Sequence, residues 1–265
     1  MSGEGRPTVF IHGIFTNSLL WRHVITAVAS PQRRCIAIDL PGHGHTPSAP
    51  ESADVSLTGL ARRIIALCDH LHLERFDLVA NDTGSAVAQI VAAQLGDRLA
   101  TLTLTNGDTE GNTPPHLFTP IIWAARPNVL AKVGPAIAAR RSRIRALLLP
   151  SYQNAGAIPD DIIESYGKPV LGTPASSRAF ARLLAALSSH DLRKVRPALS
   201  KLSTPTLIIW GTGDIFFPLK WGKRLAALIP STTELVTLKG ARLHFPDYRA
   251  PELLPHLHKH WQQHP

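Results

Sequence analysis

Short apolar runs recur along the chain, and most are followed by a turn signal and then by a helical pattern. This alternation is typical of a mostly parallel β-sheet covered by helices. Apolar residues at helical spacing predict helices over Leu57–Leu71 and Ala86–Leu95, the second ended by Gly96 in a C-cap position. The runs that predict strands are Thr8–Ile11, Cys35–Ile38, Phe76–Ala80, Thr101–Thr105, Thr206–Trp210 and Glu234–Leu238.

The strand–helix alternation stops between residues 109 and 200. This segment is rich in Pro, Ala and Arg, and it carries helical patterns such as Arg178–Leu187 without a clear strand pattern. Because it interrupts two strand-rich blocks, it predicts a helical cap (109–200) inserted into an α/β core (1–108 and 201–265). A cap of this kind would exclude water from a site beneath it.

The chain has 265 residues, which is enough for one sizeable core. No apolar stretch approaches the roughly 18 residues that a membrane span needs, and the first residues lack an apolar signal core. These features predict a cytoplasmic protein without membrane association. Cys35 and Cys68 have no metal or redox spacing and are expected to be buried thiols, and the thirteen histidines form no zinc motif.

Positive charge is concentrated in the predicted cap. Twelve Lys and Arg stand against five Asp and Glu between residues 109 and 200, so the segment carries +7 of the net charge of +9. Arg140, Arg141, Arg143 and Arg145 form the densest run. Without interleaved aromatic residues or a nucleic-acid motif, this run favours a solvated helix face, and no nucleic-acid partner is expected. It leaves an anionic substrate, such as a halogenated acid, open.

An aspartate stands at the apex of a predicted strand-to-helix turn. Ala80 and Gly84 lie two residues on either side of Asp82. Small residues at this spacing let the backbone turn sharply enough to expose one nucleophilic side chain above a sheet edge. The alternative is that Asp82 only caps the helix that begins near Ser85.

An aspartate nucleophile indicates a particular chemistry. Attack of a carboxylate on an ester would give an anhydride, whereas attack on a saturated carbon displaces a leaving group and gives an alkyl ester that water can hydrolyse. Asp82 therefore favours cleavage of a carbon–halogen bond or an epoxide.

Five ordered segments resemble the α/β-hydrolase fold, over nearly all of the chain outside the predicted cap. The aspartate elbow and the HG-x-x-T-x-S-x-x-W pattern that begins at His12 are similar to the branch that contains haloalkane dehalogenases and epoxide hydrolases. The segments are His12–Trp21, Asp39–Gly44, Asn81–Gly84, Trp210–Asp214 and Gly240–Pro246.

The resemblance implies a role for each of three residues. Asp82 would be the nucleophile, His244 the base that activates water, and Asp214 the acid that orients His244. Asp108, which follows the preceding strand, is the alternative acid. The backbone N–H groups of Ile14 and Thr83 would form the oxyanion hole.

The chain departs from this branch where the leaving group would bind. Thr83 replaces the tryptophan that usually follows the nucleophile, Ile14 replaces a halide-binding asparagine, and Phe15 replaces the proline of the epoxide hydrolase HG-x-P motif. The candidate substrate or leaving-group contacts are Phe15, Asn17, Asn81, Trp123, Tyr152 and Tyr166.

The sequence thus predicts a hydrolase for a small, mainly hydrophobic substrate, with water as the only second reactant and no metal or other cofactor. The alternatives are an esterase, lactonase or biosynthetic tailoring enzyme of the same fold, or a non-catalytic binding protein. The chain is expected to be a monomer or a homodimer. The predicted site lining is Phe15, Trp123, Leu148, Leu149, Phe216 and Phe217.

Overall fold

The computed structural model describes residues 1–118, 122 and 126–265. Six strands form one parallel sheet in the order β2-β1-β3-β4-β5-β6. The strands are β1 Arg6–Ile11, β2 Arg33–Ile38, β3 Phe76–Asp82, β4 Leu99–Gly107, β5 Thr206–Gly211 and β6 Thr232–Leu238.

Helices connect the strands, and eleven lie within the described residues with bounds assigned to them. Short 3₁₀ turns cover Ser18–Trp21, Gly96–Arg98, His116–Phe118, Leu149–Ser151 and Ala155–Ala157. The α-helices are α1 Arg22–Val28, α2 Leu57–His70, α3 Thr83–Leu95, α4 Pro127–Ala138, α5 Arg141–Leu148, α6 Asp160–Leu171, α7 Pro174–Ala185, α8 Ser189–Leu199, α9 Leu219–Leu228, α10 Phe245–Tyr248 and α11 Ala250–Gln263.

Each predicted strand lies within an observed strand, but several observed strands continue further. The prediction for β3 ends at the last apolar residue, Ala80, whereas the strand itself continues to Asp82, which pairs with Gly107 of β4. All residues of β3 and β4 are buried, so their backbone groups need partners whatever their side chains are. Burial therefore extends the ladder into polar residues that the apolar pattern does not include.

The two predicted core helices are present. Ser56 caps α2 by accepting a hydrogen bond from the N–H of Gly59 at 3.1 Å. Helix α3 begins at Thr83, three residues before the predicted start, because Asp82 alone makes the turn from strand to helix. Gly96 follows α3 in the C-cap position with right-handed dihedral angles.

Apolar side chains pack on both faces of the sheet. One face packs against α2 and α3, and the other packs against α1 and α11, which contributes Leu253, Leu257 and Trp261. Cys35 and Cys68 are buried and unpaired, as expected. The carboxyl ends of the strands remain at one edge of this core, where loops carry polar side chains.

Residues 109–200 contribute α4 to α8 and no strand among the part of the chain that the structure describes. Helices α5 and α6 form a separate apolar cluster around Ile144, Ile163 and Tyr166. The guanidinium of Arg182 on α7 donates to the carbonyl oxygens of Ala49 and Pro50, each at 2.8 Å. The division into a core and a cap stays a prediction. Among the described helices, none has the length and apolarity that crossing a membrane requires.

Candidate active site

The carboxyl ends of four neighbouring strands bring distant segments together. Asp82 ends β3, Asp108 follows β4, Asp214 follows β5, and His244 lies in the loop after β6. The His12–Gly13 segment follows β1, which is the other neighbour of β3. Residues separated by more than 200 positions thus meet at one edge of the sheet.

Asp82 occupies a strained backbone conformation at the turn between β3 and α3. Its φ is 56° and its ψ is −131°, in a region that residues with a side chain rarely adopt. A side chain at Gly84 would overlap the carbonyl oxygens of Ile11 and His12, and one at Gly13 would overlap the Asp82 carboxyl group. Both glycines are therefore needed for the close approach of these segments.

The carboxyl group of Asp82 lies beside the backbone N–H groups of Ile14 and Thr83. Burial raises its pKa well above the usual value, and the neighbouring Asp108 and Asp214 raise the pKa further, whereas the two N–H groups lower it. These are the two N–H groups that the sequence predicts for an oxyanion hole.

His244 lies in the wall of the cavity beside Asp82, and both are buried. Its backbone N–H donates to the carbonyl oxygen of Ser151 at 3.1 Å, and its ring centroid lies 5.1 Å from that of Tyr152. Neither ring nitrogen has a hydrogen-bond partner among the described residues. Burial lowers the pKa of His244 to about 3, so the imidazole is neutral near pH 7 and has an unused acceptor nitrogen.

Asp214 is held by several donors. The side-chain amide of Asn106 donates to one carboxylate oxygen at 2.8 Å, and the N–H groups of Phe216 and Phe217 donate to the other at 2.8 and 3.2 Å. Burial raises the pKa of Asp214 to about 6. The Asp214 carboxylate has no hydrogen bond to His244 in this structure.

Asp108 lies in the cavity wall next to Asp82. The hydroxyl of Thr83 donates to Asp108 Oδ2 at 3.0 Å, whereas Oδ1 is buried without a hydrogen-bond partner among the described residues. Burial raises the pKa of Asp108 to about 7. Neither Asp108 nor Asp214 therefore forms a closed triad with His244 in this arrangement.

The cavity above these residues has a volume of about 390 Å³. Its described polar lining residues are Asp82, Thr83, Asp108, Ser151 and His244, and no Lys or Arg lies among its described lining residues. Most of the wall is apolar, and half of its described apolar residues come from α4, α5, α6 and α7, including Val129, Ile137, Leu148, Leu171, Phe180 and Leu184.

Three predicted apolar lining residues, Leu148, Phe216 and Phe217, contribute to the cavity wall. Leu149 is 54% exposed and is not among the described lining residues. Phe15 lines the cavity with a φ of 66°, a value closed to proline, whose ring fixes φ near −65°. The departure from the HG-x-P pattern is thus matched by the backbone.

Four of the predicted substrate or leaving-group contacts lie outside the cavity wall. The amide of Asn17 donates to Ser165 on α6 at 3.0 Å, and the amide of Asn81 donates to the carbonyl oxygen of Leu243 at 3.0 Å. These two amides hold loops in place, so they are not directed at a substrate.

The two tyrosines are also buried, and neither is among the described lining residues of the cavity. The hydroxyl of Tyr152 donates to Asp247 at 2.8 Å, and Tyr166 belongs to the apolar cluster of α5 and α6. Trp123 lies outside the described residues. Of the six predicted contacts, the structure brings Phe15 to the cavity and directs Asn17, Asn81 and the tyrosines elsewhere.

Three supporting groups are not among the residues that the sequence predicts. They are the Asn106 amide that holds Asp214, the Thr83 hydroxyl that holds Asp108, and the Ser151 carbonyl that holds the His244 backbone. Asn106 could have been found, since it lies at the carboxyl end of a predicted strand. No sequence signal pairs Ser151 with His244.

The basic run does not reach the cavity. Arg141 pairs with Glu164 and with Asp160, the latter at 3.2 Å, and Arg143 donates to the carbonyl oxygen of Ala136 at 2.6 Å. The solvated face that the sequence favours agrees with these contacts. The described lining therefore offers no cation to an anionic substrate.

Comparison with known proteins identifies the family of this chain. A model of the alpha/beta hydrolase fold matches residues 7–156. The chain is 28% identical over 262 residues to haloalkane dehalogenase 2 of Mycobacterium tuberculosis strain H37Rv, covering 94% of this chain and 85% of that protein. The solved structure of the epoxide hydrolase CorEH superimposes with a TM-score of 0.80 at 20% identity, over 99% of this chain and 93% of that one.

Another relative differs in length and in name. The chain is 26% identical over 250 residues to the dihydrolipoyllysine-residue acetyltransferase component of the acetoin cleaving system of Pseudomonas putida. The match covers 91% of this chain but only 62% of that protein. Proteins with different named activities therefore share this fold, and the site itself must indicate the reaction.

Proposed function

Because the chain belongs to the α/β-hydrolase fold family, we propose that it is a hydrolase in which Asp82 attacks a saturated carbon of a small apolar substrate. The bond that breaks is a carbon–halogen bond or a carbon–oxygen bond of an epoxide. The product of the first step is an alkyl ester on Asp82, which water then hydrolyses.

One observation carries this proposal. Asp82 stands at the strained apex between β3 and α3, in the cavity wall, with the N–H groups of Ile14 and Thr83 beside its carboxyl group. A helix-capping role does not account for this placement, since the Asp82 side chain makes no capping hydrogen bond to α3. The arrangement instead supports a nucleophile whose ester carbonyl will later carry negative charge.

His244 is the proposed base of the second step. It lines the same cavity and is neutral, so a ring nitrogen is free to take a proton from water. The resulting hydroxide adds to the Asp82 ester carbonyl, and the N–H groups of Ile14 and Thr83 stabilise the oxyanion. Collapse of the intermediate releases the alcohol and restores the carboxylate.

Asp214 is the proposed acid that orients His244. Its three donors fix the carboxylate after β5, and catalytic hydrogen bonds are often completed only when substrate binds. Asp108 remains the alternative acid. The cap, residues 109–200, would supply the apolar wall and exclude water during the first step.

The substrate would be neutral and apolar. The cavity wall is apolar apart from the polar group around Asp82, and none of its described residues is a cation. The likeness to a haloalkane dehalogenase and to an epoxide hydrolase supports both leaving groups and does not choose between them.

Intact-protein mass spectrometry of a His244→Ala variant tests the proposal. Without the base, the ester on Asp82 should form and persist when the protein is mixed with haloalkanes or epoxides. An adduct with the mass of the whole epoxide would show epoxide opening, and an adduct with the mass of the substrate minus hydrogen halide would show dehalogenation.

The control is the double variant Asp82→Asn, His244→Ala, which should form no adduct. If the folded single variant forms no adduct with either class, or if the adduct maps to another residue, Asp82 is not the nucleophile. Adducts with activated esters alone would point to an esterase of the same fold.

A further inference from the structure

The cavity wall holds a second carboxyl group that the two-step reaction above does not use. Asp108 is 1% exposed, lines the cavity with Asp82, and has one oxygen, Oδ1, without a hydrogen-bond partner among the described residues. A buried carboxylate oxygen without a donor is costly, whereas a protonated carboxyl group that awaits an acceptor is not.

The proposed first step determines where the shared proton lies. Asp82 must be ionised to attack carbon, and the nearby backbone N–H groups of Ile14 and Thr83 favour its charged form. Asp108 has one described donor, the Thr83 hydroxyl at Oδ2, and an ionised Asp82 beside it keeps the proton on Asp108. Two carboxyl groups this close in an apolar site do not readily ionise together.

The other titratable groups near Asp108 do not change this distribution. Asp214 is a further carboxyl group and disfavours ionisation of its neighbours, and His244 is neutral. Glu110, two residues along, is paired with Arg196 on α8 at 2.9 Å. The described cavity wall therefore contains no cation that would hold Asp108 in its charged form.

We propose that Asp108 is the proton donor to the leaving oxygen in this site, and that its substrates are therefore epoxides of neutral, apolar molecules. The inference rests on the proposed role of Asp82. It assigns to Asp108 the task for which the sequence offered Tyr152 and Tyr166, neither of which is among the described lining residues of the cavity.

Proton transfer from Asp108 accompanies the opening of the epoxide ring. Asp82 Oδ forms a bond to an epoxide carbon while the bond from that carbon to the ring oxygen breaks, and the Asp108 proton moves to this oxygen. The products are a hydroxyalkyl ester on Asp82 and an ionised Asp108. In the second step His244 takes a proton from water, and after release of the diol this proton returns to Asp108.

Haloalkanes provide a matched comparison because halide departs as an anion and takes no proton. In the His244→Ala background, the rate of ester formation is measured with a terminal alkyl epoxide and with a primary bromoalkane of equal chain length. Adding Asp108→Asn preserves shape but removes the transferable proton. It should slow ester formation with the epoxide by about 10²-fold or more and with the bromoalkane far less.

A pH series separates proton donation from a structural effect. With Asp108 present, ester formation from the epoxide should fall as the pH rises past about 7, where the proton on Asp108 is lost. This fall should be missing with the bromoalkane and missing in the Asp108→Asn variant. The control for a buried Asp→Asn change is Asp191→Asn, which lies on α8 outside the cavity wall.

The outcomes distinguish the two proposals. If His244→Ala forms an ester with the bromoalkane alone, Asp82 is still the nucleophile, but the proposed role of Asp108 is wrong. Equal slowing of both substrates by Asp108→Asn, or no slowing with the epoxide, also overturns the inference. If no ester forms with either substrate while Asp108 is intact, the proposed function itself has failed.

Discussion

Strand β3 carries a buried aspartate near each end, and the two are surrounded in opposite ways. Asp77, the second residue of the strand, accepts hydrogen bonds from Arg6 at 2.7 and 3.0 Å, from Arg33 at 2.5 Å and from the Thr101 hydroxyl at 2.7 Å. Asp82, the last residue, has acidic neighbours and no described ion pair.

The difference separates a structural charge from a reactive one. Two guanidinium groups neutralise Asp77, so this carboxylate holds the amino ends of β1, β2 and β3 together. Asp82 is stabilised only by dipoles of the loop and helix and remains free to form a bond. Perturbed carboxyl groups without a cation are typical of functional sites, and Asp82, Asp108 and Asp214 at the carboxyl edge of this sheet are such groups.

The largest expected effect is the loss of activity when Asp82, the reactive aspartate of β3, is replaced. Asp82→Ala should lower kcat/KM by more than about 10⁴-fold, because the bond-forming group is lost. Its free energy of unfolding should stay the same or rise, since a buried unpaired carboxyl group has been removed. Turnover assays with denaturant unfolding check both, and activity close to that of the unchanged protein would exclude the mechanism.

Replacing Asp214 should lower turnover less than replacing Asp82 does. Asp214→Asn should lower turnover of a bromoalkane by about 10²–10⁴-fold through loss of His244 orientation. Asp108→Asn should lower it less, because no proton is needed at the leaving halide. Steady-state kinetics of the two variants gives the comparison, and equal, severe losses would leave the acid unassigned.

At the other end of β3 the expected effect is on stability. Asp77→Ala should lower the free energy of unfolding by about 3 kcal/mol, because it leaves two mostly buried guanidinium groups unpaired. The control is Glu234→Ala, which removes an exposed pair with Lys259 and should cost less than about 1 kcal/mol. Similar losses for both variants would show that Asp77 is not a structural charge.

The pH dependence of stability should differ between the unchanged protein and Asp108→Asn. The pKa of Asp108 is raised from 3.8 to about 7 in the folded chain, so the folded state binds more protons than the unfolded state between these values. Stability contributed by Asp108 is therefore lost as the pH rises through this window.

Relative to the unchanged protein, Asp108→Asn should thus gain at least about 1 kcal/mol between about pH 4 and pH 7. The buried histidines are common to both proteins and cancel in the difference. Urea unfolding across this range measures it. A constant difference would mean that Asp108 is ionised throughout, and would remove the basis for a carboxyl proton donor.

The smallest changes in stability and activity are expected from a substitution in the basic run, residues 140–145. Arg143→Gln should change the free energy of unfolding by less than about 0.5 kcal/mol, because Arg143 is exposed and donates only to a backbone carbonyl. Its effect on kcat/KM for neutral substrates should be equally slight. A large loss of activity specific to halogenated acids would show that an anionic substrate does reach this surface.

The sequence predicted the parts of the site that depend on the backbone. The alternation of strands and helices predicted a mostly parallel sheet covered by helices, and the resemblance of five ordered segments implied the α/β-hydrolase fold and a hydrolase; the family match confirms both. Most of the predicted leaving-group contacts lie outside the cavity wall. Asn17, Asn81 and Tyr152 have suitable donors, but these are used within the protein.

What the sequence determined by itself is the alternation of strands and helices and the residue at the apex of the elbow, because both depend on local spacing and on the size of near neighbours. The tertiary structure alone decided which polar groups remain free. Asn106, Ser151 and Thr83 become partners of Asp214, His244 and Asp108 only when separate strands and loops meet. Hydrogen bonding between distant segments leaves no periodic signal in the chain, and it determines which carboxyl groups are held and which remain available for chemistry.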